Sequence, residues 1–393
     1  SWDSDLMTLP LIVALFACGS PTATTATTEA AEPDRPVLVD FDNPEACAPC
    51  HATVVAEWQE SMHARAHHDN DPIYGHMKAL RMKKQGEQIA GKCQQCHNPR
   101  APAEPDSPAG RQGVSCATCH AATEVHRDRG PGAKALVFSD DTLRSARDVA
   151  PGASPVHGTG PAAPHLADGT TMCLACHDAT KTPAGQAACT TGPEYERAEG
   201  AASCTSCHMP RTEGPSGAVS QRDHHASHTF AGPHRAWYQS DPSFLATAID
   251  LSVTQSGTKV TATLVNQAAH AVPTGFPGRL MVVKLKGLDA TGSEVWTNLT
   301  DDPMKQDPDA VLNKVYVDEA GNPTPAPFAT KLARDTRLTP GETRTLSWTV
   351  PSEVTQVQAM VVMRLLPPPL AEKLGVAGQA EGEPRVIIKA ATP

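Results

Sequence analysis

The sequence predicts two regions of unlike construction: short α-helices and irregular loops packed around something other than protein, followed by an all-β sandwich. Three observations predict this. Five C-x-x-C-H runs fall between Cys47 and His208. The same part of the chain is nearly bare of bulky groups, since from Asp42 to Arg235 the only aromatic residues are Trp58, Tyr74, Phe138, Tyr195 and Phe230. A core of that span needs more large apolar side chains than these. From about Phe244 the pattern changes to a period of two, with no cysteine.

A length of 393 residues suggests two or three domains. The 36 Pro and 28 Gly imply much irregular backbone. The formal net charge is -10 with no basic run, which argues against nucleic acid as a partner.

In chain order, residues 1–18 read as an export segment. Met7 to Ala17 is an apolar run too short to span a bilayer, and it ends in L-F-A-C at Cys18. That ending resembles a bacterial lipobox, in which the cysteine is lipidated. Two features depart from it: the chain starts at Ser1, and Asp3 and Asp5 stand where basic residues are expected. Residues 19–40 read as a flexible linker, since Ser20 to Pro36 is rich in Thr, Ala, Pro and Glu. The expected location is therefore outside the cytoplasm, in the periplasm or on the outer membrane of a bacterium as a lipid-anchored protein.

Residues 41–240 carry the motifs. Cys47 and Cys50 precede His51; Cys93 and Cys96 precede His97; Cys116 and Cys119 precede His120; Cys173 and Cys176 precede His177; Cys204 and Cys207 precede His208. Two thiols at this spacing reach the two vinyl groups of one haem, and the next residue lies under the iron as its proximal ligand. Zinc sites and redox dithiols explain a C-x-x-C pair, but not a His after the second Cys five times out of five. The expected cofactors are five covalently bound haem c groups. Each porphyrin would be an apolar core element in its own right, which accounts for the missing aromatics.

Twelve further histidines are available: His63, His67, His68, His76, His126, His157, His165, His224, His225, His228, His234 and His270. They exceed what a second axial His on five irons requires. Each also has the ordinary reading of a surface or hydrogen-bonding group. His51 and His63 are expected on one helix with Val54, Val55, Trp58 and Met62 on its apolar face. Two ligands of one iron approach from opposite sides, so His63 would then cap a haem other than that of His51. Met62 and Met77 are alternative ligands, though Met at such positions more often packs. The second and third motifs start only 23 residues apart, which suggests stacked neighbours.

Residues 244–393 read as a β-sandwich of immunoglobulin-like type, of about seven strands. Val260, Ala262 and Leu264 alternate with Thr261 and Thr263. Leu280 to Leu288, Arg344 to Val350 and Val357 to Leu365 also read as strands, and Asp289 to Gly292 as a turn.

Several runs resemble one family. Glu57 to Ala64, E-W-Q-E-S-M-H-A, is similar to the W-x-x-S-x-H-A signature of multihaem cytochromes of the cytochrome c-554 type. Gly113 to His120 followed by His126 resembles its G-V-x-C-x-x-C-H with a nearby His. Cys204 to Pro210 followed by His228-Thr229-Phe230-Ala231-Gly232 and His234 resembles its last haem site. Asn266 to Arg279 and Asp335 to Glu342 resemble the β domain appended to many such cytochromes, with Ala269 in place of the usual Gly. The resemblance implies an electron carrier with mostly bis-His haems. It puts His63, His126 and His228 first as distal iron ligands, then His157 and His165. His270 either reaches a haem at the domain boundary or pins its own loop.

Three functions follow as alternatives. The first is electron transfer between redox proteins acting as donor and acceptor. The second is an oxidoreductase with one open haem acting on a small nitrogen or sulfur compound; one relative keeps a five-coordinate haem, while no C-x-x-C-K motif is present. The third is a homo-oligomer or filament joined by ligation between subunits. Cys18 and Cys189 lie outside the motifs, so Cys189 is either unpaired beside a lipidated Cys18 or disulfide-bonded to it.

Overall fold

The computed structural model describes residues 39–393. The expected export segment with Cys18, and most of the expected linker, lie outside the described residues.

The first long helix, α1 (Ala48–Gln59), starts with a proline in its first turn and buries Val55 and Trp58 on one face. It corrects the expectation of a single helix reaching His63. The backbone at His51 is not helical (φ -118°, ψ 37°), and the helix stops at Gln59. Ser61 Oγ donates back to Trp58 O at 2.6 Å, and Trp58 Nε1 donates to Val114 O at 2.8 Å. The carbonyl of His63 accepts from Val114 N at 3.0 Å. Gly113 (φ +64°) passes so close that a Cβ there would sit 2.6 Å from that carbonyl oxygen. The loop before the third motif therefore claims the backbone that a longer helix would have used.

Helix α2 (Pro72–Gln85) is capped by Asp71, whose carboxylate accepts from Tyr74 N at 3.1 Å, and it ends at Gly86 (φ +81°). Its buried Ile73 and Met77 pack in one cluster with Trp237, Leu245 and the β region. Met77 is thus a packing residue. The remaining helices are one or two turns long, including Cys116–His120 and Cys204–His208. Two small hairpins lie among them: β1 (Ala122–Val125) with β2 (Leu136–Phe138), and β3 (Arg211–Glu213) with β4 (His224–Ala226).

The β region is a two-sheet sandwich. One sheet has β5 (Ile249–Ser256), β6 (Lys259–Asn266) and β11 (Thr343–Thr349) in the order β11-β6-β5. The other has β7 (Leu280–Leu288), β8 (Glu294–Thr297), β9 (Val311–Val317), β10 (Lys331–Asp335), β12 (Gln356–Arg364) and β13 (Arg385–Ala391). Its order is β10-β9-β7-β12-β13, with β8 paired to β7. All pairs are antiparallel. The alternation does what it predicts: Val260, Ala262 and Leu264 of β6 and Val357, Ala359, Val361 and Met363 of β12 face the common core. Nine strands replace the expected seven. The short β8 and β10 show little burial, so they left weak apolar patterns.

The two regions hold each other through buried polar contacts. Glu194, 1% exposed, accepts from Thr190 Oγ1 (2.5 Å), Thr274 Oγ1 (2.5 Å), Arg337 Nη1 (2.6 Å) and Ala271 N (3.3 Å). Lys314 Nζ donates to Ala188 O (3.0 Å) and Thr190 Oγ1 (2.8 Å), and Tyr316 donates its hydroxyl to Ala187 O (2.7 Å).

Candidate functional site

Every Cys and His of the five motifs lines one cavity of about 2560 Å³. A site for one drug-sized molecule is ~300–1000 Å³, so the space suits several such groups. The scarcity of bulky residues from Asp42 to Arg235 is the sequence counterpart of this hollow.

Four of the five motif histidines are held for ligation. The Nδ1 atoms of His51, His97, His120 and His208 lie 2.7, 2.9, 2.7 and 2.6 Å from the carbonyl oxygens of Ser216, Ala66, Arg144 and Ala231. An Nδ1–H bonded to a carbonyl fixes the tautomer and leaves Nε2 bare for a metal. Three of the five rings also face a second imidazole. His120 and His228 have ring centres 6.2 Å apart, His208 and His270 6.2 Å, and His177 and His63 6.3 Å. An imidazole nitrogen sits ~2 Å from a bound metal, so two rings on opposite sides of one ion have centres ~6 Å apart. Burial, reinforced by neighbouring imidazoles, lowers His63 to about 3 and His177 and His228 to about 4. These rings are neutral at neutral pH, the form that binds a metal.

The motif thiols meet in pairs across motifs. Cys47 contacts Cys116, Cys96 contacts Cys176, and Cys173 contacts Cys204. The second motif thus touches the fourth through its thiol, where spacing along the chain suggested the third. No cysteine of the described residues is in a disulfide, Cys189 included. Burial raises the Cys189 thiol above its ordinary value.

Other predicted residues are placed as follows. His157 and His165 line the cavity. Nδ1 of His157 lies 2.9 Å from Gly158 O, and Nε2 of His165 is buried without a partner. His51 and His157 both lie near enough to His120 to lower its pKa, after burial and against the bond to Arg144. His126 does not line the cavity; its Nε2 lies 2.5 Å from Glu124 Oε2. The ring packed on His97 is the phenol of Tyr74, stacked with centres 3.7 Å apart. His67 is buried against Pro105 O and Asp69 N, and His68 against Lys78.

Sequence reasoning missed Glu57, which receives His225 Nε2 (3.2 Å) and His228 N (2.8 Å) and so fixes the segment that carries His228. It also missed Asn266, whose Nδ2 donates to the carbonyls of His270 (2.9 Å), Leu338 (3.0 Å) and Thr339 (2.9 Å). Apart from the Asn266 bond to His270, these join parts distant in sequence, and no local pattern signals them.

The donor set, the spacing of the rings and the apolar hollow fit haem c. Bound there, haem supplies one-electron redox chemistry. The protein positions each group, excludes water and fixes the ligand tautomers.

The comparisons with known proteins agree. Residues 46–121, which contain the first three motifs, match the family described as cytochrome c554 and c-prime. The whole fold is similar to the crystal structure of a penta-haem cytochrome c552 from Thermochromatium tepidum, with a TM-score of 0.74 and 29% sequence identity. That match covers 89% of this chain and 98% of the other. No curated protein matches. Motifs, cavity and comparisons together identify the chain as a multihaem c-type cytochrome, an electron-transfer protein with covalently bound haem c.

Proposed function

We propose that the protein carries five haems and passes electrons between two redox partners. The observation that carries this reading is the single cavity lined by all five motifs. Three haems would be bis-His, with His120 and His228, His177 and His63, and His208 and His270 as axial pairs; the ring separations near 6 Å support this. His157 and His165, which both line the cavity, are the candidates for the second ligand at the haem of His51. This reading sets His126 aside, since it does not line the cavity and its Nε2 lies 2.5 Å from Glu124 Oε2.

The thiol contacts support an electron path from the first motif to the third, fourth and fifth, with the second as a branch from the fourth. The step from third to fourth rests on Cys119, close enough to act on both Cys173 and Cys176. Cys50 and Cys207, at the ends of that path, are the exposed motif thiols. Electrons would enter and leave there. The proposed setting is the periplasm or the outer membrane, with attachment through a lipid on Cys18. Its support is the L-F-A-C run alone.

A second reading has one observation in its favour: among the described residues no imidazole faces His97 near 6 Å, its ring stacking on Tyr74 at 3.7 Å instead, so the haem of the second motif is the place for an open iron. That haem could then act on a small nitrogen or sulfur compound. Carbon monoxide added to the reduced protein separates the two readings. The carrier reading expects low-spin spectra in both redox states, which requires a second ligand at the second motif as well, and no change on addition. Stoichiometric binding at one haem would replace it with the second reading.

A further inference from the structure

Arg279 comes from the β region, yet its guanidinium lines the haem cavity. Protein surrounds it closely enough that burial lowers its pKa. Its one hydrogen bond runs from Nη1 to Thr274 O at 2.9 Å. Among the described residues no carboxylate lies within ion-pair distance of it. The neighbouring cations differ. Arg337 pairs with Glu194 at 2.6 Å and Asp335 at 2.9 Å, and Lys314 donates to Ala188 O and Thr190 Oγ1. Asp71, the one carboxylate that acts on Arg279, makes no ion pair with it and caps α2. Arg279 is half-buried, and a guanidinium on the wall of an apolar hollow with one neutral acceptor is ordinarily paired.

What surrounds Arg279 indicates the anion. It acts electrostatically on His177 of the fourth motif, and on Asp71, which itself faces His97 of the second. Each haem held by those motifs brings two carboxylates into this hollow. Arginine is the side chain whose planar fork suits a carboxylate held away from water.

We propose that Arg279 is an anion clamp for a haem propionate, one belonging to the haem of the second or the fourth motif. The clamp has two consequences. It ties the β region to the cofactor directly, beyond the contacts of Glu194. It also holds a positive charge beside one haem, which favours the reduced state and raises that haem's potential. This rests on the haem reading above and adds a role for one β-region residue.

The test is a spectroelectrochemical titration of Arg279→Gln, Arg279→Lys and the unaltered protein, each first counted for haem. Loss of the charge is expected to move one haem about tenfold toward its oxidised form, a fall of ~59 mV for one electron. Arg279→Lys keeps the charge and is expected to restore most of the shift. Unchanged potentials in an Arg279→Gln protein with five haems would overturn the clamp and leave the haem reading intact; fewer than five haems in the unaltered protein would overturn the haem reading itself. Saturable spectral changes on adding nitrite or chloride to the unaltered protein, absent in Arg279→Gln, would assign the guanidinium to a diffusible anion instead. If Arg279→Gln does not fold, infrared redox-difference spectra of unaltered protein with carboxyl-labelled haem replace it. Ionised propionate bands are expected, and a protonated-acid band at this haem would overturn the proposal.

Discussion

The helical region and the β region reach a buried interior by opposite means. In the β region the side chains themselves fill the core: Leu264, Leu285 and Leu312 are fully buried, and both sheets contribute inward rows. In the helical region the described residues line a hollow of about 2560 Å³, and the protein part of its packing is broken into small clusters such as Ala122, Ala135, Leu136, Met172 and Ala175. The difference teaches that one chain can hold a protein core and a cofactor core side by side. It also says where each is vulnerable.

The largest expected effect breaks the cofactor core. Replacing Cys116 and Cys119 by Ala is expected to remove the covalent hold on the haem proposed at the third motif. The expected outcome is a chain one haem lighter by intact mass, with loss of cooperative unfolding in the helical region while the β-sheet signal in circular dichroism persists. A next effect lies at the seam. Glu194→Ala leaves Arg337 with only Asp335 as a charged partner and is expected to cost about 3–5 kcal/mol, read by denaturant unfolding.

The same carboxylate sharpens the comparison through pH. Burial pushes its pKa up, but bonds from Thr190, Thr274 and Arg337 outweigh that and leave it lowered. Its contribution is therefore present above the unfolded value of ~4.3 and is lost as pH falls through the lower folded value. A stability titration from pH 6 to pH 3 (about the range that matters) is expected to show this loss at the acid end in the unaltered protein and a flatter curve in Glu194→Gln.

Leu264→Ala attacks the protein core and is expected to cost about 2–5 kcal/mol, with the haem spectrum unchanged until global unfolding. The smallest effect belongs to the exposed Thr261 and Ser347 hydroxyl pair on β6 and β11, where Ser347→Ala is expected to stay within about 0.5 kcal/mol.

The contrast also explains what could be read from sequence. The strand at Leu280–Leu288 and the turn after it were legible as an apolar run ending in Asp289-Ala290-Thr291-Gly292, and the alternation of Val260, Ala262 and Leu264 records which face of β6 is buried. The motifs were legible because covalent attachment needs fixed spacing. The end of α1 was not, since it depends on Gly113 and Val114 meeting the carbonyl of His63 from 50 residues away. The partners of the motif histidines were only partly legible. His63 and His228 stood out by their motif surroundings, whereas His126 shares such surroundings and lies elsewhere. His270 faces His208 across the seam between regions, a pairing that no local pattern encodes.

The central claim is that haem is the core of the helical region. Intact mass of the purified protein, with a haemochrome count on the same sample, tests it most directly. The account predicts five covalently bound haems per chain. A folded chain carrying fewer than five, with unmodified thiols at any of the five motifs, would contradict it.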